Sequence, residues 1–372
     1  MAKTVIGVGD AKAIQRYSAF LAVDIARTSY FNRKFMGTGI EAETPLQSLM
    51  QLENDAGDTI SYDLVMQLRM KPIEGDATLR GKEEDLKFYT DTVKIDQMRG
   101  GVNTGGRMTR KRTIHDLRKI ARARQKEWWA RVFDELWFMY LSGARGVNDD
   151  FIFDTSYTGF AGNSFSAPDS DHILYAGSAT SKASLVAGDK MDLTVIEKAV
   201  TKAKTMGGGT QRTPRIQPCM VEGENRFVQL MHPWQVYDLR TNTTTGQWLD
   251  IQKSLATAIG NRSPIFMGGV GYHNGVVLHE HEATIRFSDY GAGSNIAASR
   301  ALFLGRQAGV CAFGSPGTGL RFDWNEETED RGNQVVITTS SIFGLKKTHF
   351  SIEGTTKDFG VISIDSAAAD PT

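Results

Sequence analysis

The sharpest chemistry-bearing run in the chain is His279-Glu280-His281-Glu282. On a strand, side chains two apart share a face, so His279 and His281 could present two imidazoles to one metal ion. A third ligand is not evident, and the spacing is not the i, i+4 pair of a helical zinc protease. The surrounding VVLHEHEATIRF also reads simply as a polar-flanked strand. A metal-dependent enzyme using His279, His281 and a nearby carboxylate stands as one functional alternative. The glycine clusters offer less. Gly207-Gly208-Gly209-Thr210 lacks the Lys-Ser/Thr ending of a phosphate loop, and Gly7-Val8-Gly9 is not preceded by a strand. No serine sits in a G-x-S-x-G elbow. Cys219 and Cys311 lie in apolar runs, IQPCMV and AGVCAFG, and read as buried free thiols in a reducing compartment.

A larger constellation is electrostatic. From about Thr109 to Leu141, Ile114, Leu117, Ala121, Trp128, Val132, Leu136 and Met139 form an apolar stripe of helical period. This predicts one helix of roughly 45–50 Å. Its other faces carry Arg110, Lys111, Arg112, Arg118, Lys119, Arg122, Arg124, Lys126 and Arg131. Before it runs a polar excursion over 58–98. Two alternating strands, about Asp58–Leu68 and Leu86–Met98, flank a tip from Pro72 to Asp85 with Glu74, Asp76, Glu83, Glu84 and Asp85.

The basic face has three readings. It could neutralise phosphate, making the chain a nucleic-acid-binding protein. It could receive a neighbour's acidic tip, with Glu83, Glu84 and Asp85 meeting Arg110, Lys111, Arg118 and Arg122. It could be a solvated face with local i, i+4 pairs. The aromatics Trp128, Trp129, Phe133, Trp137, Phe138 and Tyr140 read as core and inter-subunit packing.

The elements that must position these groups follow from composition and period. At 372 residues, with 40% hydrophobic and 23% charged content, the chain can bury a full core. Its 43 basic and 43 acidic residues cancel, which disfavours a dedicated nucleic-acid binder and suits dense packing of identical copies. No signal-peptide core and no run of about 18 apolar residues is present, so synthesis in the cytoplasm without a membrane partner is expected. A first helix is expected from Asp10 to about Phe35, stopping at Gly37. Gly100, Gly101, Gly105 and Gly106 read as a hinge. Residues 144–190 are polar, with weak strands in FIFDTSY and HILYAG. A second helix is expected over Leu193–Met206, capped by Asp192, and a short one near Pro233–Arg240. Strands are expected over Ala301–Phe313, Gln334–Ile342 and Phe359–Ile364, followed by a disordered SAAADPT tail.

Taken in order, these parts resemble the tailed-phage major capsid protein of the Hong Kong 97 type, and more closely its phage N-four (enquatrovirus-type) family. The resemblance rests on AIQRYSAFLAVDIARTSYFNRKFMG at 13–37, GDTISYDLVMQL at 57–68, VKIDQMRGGV at 93–102 and QLMHPWQVYDL at 229–239. It continues in GVVLHEHE at 275–282, ALFLGRQAGVCAFG at 301–314, GNQVVITTSSIFGLKKTHF and KDFGVISID. It implies an α+β fold with an N-terminal arm (1–56), an E-loop hairpin (57–106) and a long spine helix opening 107–190. The polar insert 144–190 belongs there to the first part of a P-domain. An A-domain (191–306) and P-domain return strands with the tail (307–372) complete it. It implies no enzyme and no cofactor. The expected function is a structural subunit of hexamers and pentamers that form an icosahedral head around double-stranded DNA. Portal, scaffold and decoration proteins are further implied partners, and the virion is the implied location. The chain starts directly at the arm and shows no match to isopeptide-forming residues, so separate or absent scaffolding and a non-crosslinked shell are expected.

Overall fold

A computed structural model describes residues 21, 23–39, 41–53, 56–66, 68, 70–207, 213–221, 224–242, 269–315 and 321–371. Helical backbone over 23–28 is interrupted by Ser29, whose extended backbone starts a new short helix, α1 (Tyr30–Lys34). The single helix expected up to Gly37 is therefore broken. Its part over 10–20 lies outside the described residues, and Gly37 sits in strand β1 (Met36–Thr38). Strand β2 (Leu46–Leu49) follows.

The excursion is a hairpin, β3 (Thr59–Val65) paired with β4 (Phe88–Lys94) from Thr59↔Lys94 to Val65↔Phe88. Its return leg is not one strand. At Ile95 it passes into β5 (Asp96–Asn103), which pairs with a different sheet. Gly100 and Gly101 are thus ladder residues, not a hinge. A Cβ on Gly100 would stand 2.6 Å from the Trp128 ring, so the missing side chain lets β5 lie against that indole.

The expected single long helix is two. A six-residue helix α2 (Arg107–Arg112) ends in extended Thr113, and α3 (Leu117–Ser142) starts at a new cap. Asp116 accepts from the Arg118 and Lys119 amides at 3.1 and 3.3 Å. Ile114 falls in the gap and is fully exposed. The 26 residues of α3 span about 39 Å at the usual rise. Gly143 ends it with φ +71°, where a Cβ would meet the Ser166 carbonyl oxygen at 2.1 Å. The first half of α3 buries one side. From Trp129 onward nearly every side chain is covered, because structure packs around it from several directions.

After α3 come β6 (Gly159–Phe160), β7 (Asn163–Ser164), β8 (Ile173–Tyr175), α4 (Leu193–Thr205), β9 (Cys219–Val221), β10 (Glu224–Met231) and α5 (Pro233–Thr241). Then follow β11 (Gly269–His273), β12 (Val276–Glu280), β13 (Arg286–Tyr290), β14 (Ile296–Leu304), β15 (Gly309–Gly314), β16 (Phe322–Glu329) and β17 (Gln334–Lys347). The chain closes with β18 (His349–Ile352), β19 (Thr355–Asp358) and β20 (Val361–Ala367). Asp192 caps α4 through the Val195 amide at 2.9 Å, as expected. FIFDTSY forms no strand; Phe151, Phe153 and Tyr157 pack against the main core instead. The expected loose tail is bound at its start, over Ser366–Ala368. Ser366 and Ala367 belong to β20, and the Ala368 amide donates to Ala297.

Two sheets result. In the first, β17 is central: β16 pairs along its start, β15 along its end, and β5 on the opposite edge, with β2 and β1 beyond β15. Helix α3 lies on this sheet. Trp129 donates its indole N–H to Thr339 at 2.8 Å, and the Phe133 and Phe343 rings stack 4.6 Å apart. The second sheet runs β11-β12-β10-β14-β20-β8, with β13 on β14 and β9 on β10. Val195, Ile196, Ala199 and Val200 of α4 pack on Phe227, Phe303, Ile362 and Ile364. Strands from residues 173–175 and 361–367 thus complete a sheet built mainly from 219–304.

Candidate assembly surfaces

The hairpin is fixed at its base and bare at its end. Ile60 and Val93 are buried against Leu49, Val310 and Ala312 of the first sheet. Tyr62, Leu64 and Tyr89 pack on Phe350, Ile352 and Phe359 around the β18–β19 hairpin. Asp91 ties these layers together: it accepts from the Tyr62 hydroxyl at 2.6 Å and from the Lys346 ammonium. Burial and the adjacent Asp91 charge raise the Tyr62 hydroxyl well above its ordinary range, so it remains a donor.

Past Val65 and Phe88 the regular ladder ends. Val65, Leu68, Met70, Leu79, Leu86 and Phe88 are each roughly half exposed. The excursion thus gathers six large apolar side chains in solvent. The acidic tip lies among them. Glu83 accepts from the Gly81 amide at 2.6 Å, and its own backbone amide, followed by that of Gly81, holds its carboxyl below the usual range. Glu83 and Asp85 are exposed, and Glu84 is half-buried.

The basic residues are divided between own-chain contacts and open surface. Arg110 donates to the Asn333 carbonyl at 3.1 Å. Arg118 holds Glu326 of β16 at 2.7 Å, and Trp324 donates to the same carboxylate. Arg122 faces Asp24 at 3.6 Å. Arg124 pairs with Glu127, and Arg131 with Glu135, in i, i+3 and i, i+4 geometry. Lys111, Arg112 and Lys119 are exposed, beside the exposed apolar side chains of Met108, Ile114 and Ile120. The pairs Arg124–Glu127 and Arg131–Glu135 are the local kind expected of a solvated face, whereas the partners of Arg118 and Arg122, Glu326 of β16 and Asp24 of the N-terminal segment, were not legible in the sequence pattern.

The His279–His281 pair is aromatic packing. His279 is buried at the end of β12, its ring 6.2 Å from Tyr30 and 5.3 Å from Phe35. His281 follows the strand. Its ring lies 4.5 Å from Tyr30 and 4.8 Å from Phe138, and its Nδ1 accepts from the Ala283 amide. Burial, with Lys34 nearby, lowers its pKa to about 4. Among the described residues no group of three or more His, Cys, Asp or Glu is placed to hold a metal ion. Cys219 and Cys311 are buried free thiols, both raised far above their ordinary range by burial.

Sequence reasoning also missed Asp134 and the buried group Arg300–Asp365–Tyr290. Arg300 reaches Asp365 at 2.7 Å and the Ser142 carbonyl at the end of α3 at 2.8 Å, and Tyr290 donates to Asp365. A lone arginine inside the otherwise apolar run of β14 was the available signal.

The model of the family described as "Phage capsid protein" matches residues 5–370. The chain is 28% identical over 367 residues to the major capsid protein of Pseudomonas phage KPP25, covering 92% of each. Among solved structures, it is similar to the capsid of Ralstonia phage GP4, at 51% identity, TM-score 0.85 and full coverage of both chains. The capsid of cyanophage Pam1 matches with TM-score 0.69 at 20% identity, covering 93% of this chain and 94% of that one, a likeness of fold. The acid-stable capsid of Helicobacter pylori bacteriophage KHP30 matches with TM-score 0.61 at 14% identity over 89% and 90%.

Proposed function

The chain belongs to the phage capsid protein family, and from that premise we propose that its long hairpin joins neighbouring copies into the shell. The protein is a major capsid protein of a tailed phage, a structural component of the virion with the α+β fold of solved phage capsids. Within that family we assign it to the Hong Kong 97 type and its phage N-four group. Residues 1–56 are then the arm, 57–106 the E-loop, 107–143 the spine, and 191–306 the core of the A-domain. Segments 144–190 and 307–372 make the P-domain, and β8 and β20 reach across to complete the A-domain sheet. Hexamers and pentamers around double-stranded DNA, a non-crosslinked shell, and portal, scaffold and decoration partners belong to the same assignment.

One observation carries the clamping role: the hairpin is anchored at Asp91 yet leaves Leu68, Met70, Leu79, Leu86 and Phe88 in solvent. Covering such a side chain stabilises an interface by about 1–2 kcal/mol, and a closed shell repeats that contact in every subunit. The acidic tip sets the register on a neighbour's cationic surface. Arg118 and Arg122 hold own-chain carboxylates, so Arg110, Lys111 and Arg112 are the first cations that Glu83, Glu84 and Asp85 meet.

The test is negative-stain electron microscopy of the full chain at high concentration. Closed shells, tubes or five- and six-membered rings are expected. Reversing Glu83, Glu84 and Asp85 to Lys is expected to lower assembly yield about tenfold, the scale of a rim charge mismatch. Unchanged yield and shell stability would remove the tip from the mechanism. Replacing Leu79 and Leu86 with Ser tests the apolar strip separately, with a larger loss expected.

A further inference from the structure

Asp134, near the middle of α3, caps an element that is remote in sequence. Its carboxylate accepts from the Ser29 hydroxyl at 2.7 Å, the Tyr30 amide at 2.9 Å and the Phe31 amide at 3.2 Å. These amides open α1, where a helix usually finds its acceptor in its own cap residue. Ser29 supplies only a long 3.4 Å contact to the Asn32 amide. The remaining donors depend on α3.

The segment's other ties are chiefly apolar, with Leu21, Ile25, Phe31 and Phe35 buried in the main core. Ser29 interrupts the helical backbone, and the five residues of α1 after it are below the length at which a helix persists alone. Its rings lie in a socket walled by other elements. Phe31 lies 4.8 Å from Phe138, Phe35 lies 5.3 Å from His279, and Tyr30 lies against both histidines. The walls are fixed independently, α3 on the first sheet and β12 within the second. The ion pair Arg122–Asp24 and the short β1–β2 pairing are further ties.

We propose that residues 23–38 form a releasable arm and that Asp134 is its latch. When the carboxylate lets go, three donors and the ring socket open together, while both sheets remain folded. The use of such a device rests on the shell reading. A subunit that sits in rings of five and of six needs an arm that can unseat without unfolding its core. The latch itself does not depend on assembly.

Hydrogen exchange on the unassembled full chain tests it. In Asp134→Ala, amides over 23–38 are expected to exchange about tenfold faster or more, the scale of losing charge-assisted hydrogen bonds. Asp134→Asn, which keeps one acceptor oxygen, is expected to fall between. Ser29→Ala should give a smaller acceleration, and little further in the Asp134→Ala background. Peptides in β14 and β20 should be unchanged. Unchanged exchange over 23–38 would overturn the latch. Acceleration spread evenly into β14 and β20 would also overturn it, because Asp134 would then hold the whole fold. Failure to form shells by microscopy would leave this result standing.

Discussion

At the residue scale, the buried titratable groups set an acid response. Burial, with Arg286 adding repulsion, lowers His232 from 6.5 to about 4, and His281 is lowered as far. Between those values the unfolded chain takes up protons that the folded chain refuses. The stability these rings contribute is present above pH 6.5 and is lost as pH falls through 4, about 1–3 kcal/mol each. Asp134 opposes them. Burial raises it from 3.8 to about 6 against the pull of its three donors, so its contribution is present below 3.8 and is lost as pH rises through 6. Two histidines outweigh one aspartate. The thermal midpoint of the unassembled subunit is therefore expected to fall between pH 6.5 and 5. The fall should nearly vanish in His281→Phe, where Asp134 offsets the remaining histidine, and be steeper in Asp134→Asn. Parallel pH profiles for all three proteins would remove these groups as the source.

At the element scale, the first sheet and the long helix meet through a glycine. Gly100 of β5 lies under Trp128, where a Cβ would stand 2.6 Å from the ring. Gly100→Val is expected to cost about 1–3 kcal/mol by overpacking, read as a lower denaturant midpoint with unchanged slope. A neutral result would mean that Trp128, half-buried, simply turns aside. The pattern at 58–98 was legible because alternation is local: Ile60 and Val93 face inward as their period requires. The split into β4 and β5 was not. Nothing in the alternating residues marks Ile95 as the point where one ladder passes to another, since that depends on β17, more than 200 residues away. The helix break was half legible. Asp116 is a good cap, but periodicity alone favoured continuing through Ile114.

At the scale of the whole molecule, two sheets and one helix are joined by buried charge. Arg300 in the second sheet donates to the last residue of α3, which lies on the first, while Asp365 and Tyr290 complete its partners. Arg300→Met is expected to destabilise by about 3–5 kcal/mol, because Asp365 is left buried and unpaired. Changing Asp365 to Leu as well should recover much of that, since exchanging a whole buried pair for apolar contact has little net cost. Equal loss in the single and double variants would show that the Ser142 contact, not the ion pair, matters most.

What the sequence by itself determined was local and ordinal. It specified the alternating hairpin, the helix over 193–206 with its Asp192 cap and the short one near 233–240, the apolar late strands, and the order of parts that carried the family resemblance. These depend on neighbours three or four positions apart, or on the linear arrangement of segments. The tertiary structure decided what each charge and ring faces. It turned His279 and His281 from a candidate metal pair into the wall of an aromatic socket, and it gave Arg118 and Arg122 their carboxylates from Glu326 and Asp24. It also drew 173–175 and 361–367 into one sheet and bound the tail at Ala368. The physical reason is the same in each case. A side chain's role depends on which surface displaces its water, and that surface comes from a segment the local pattern does not contain.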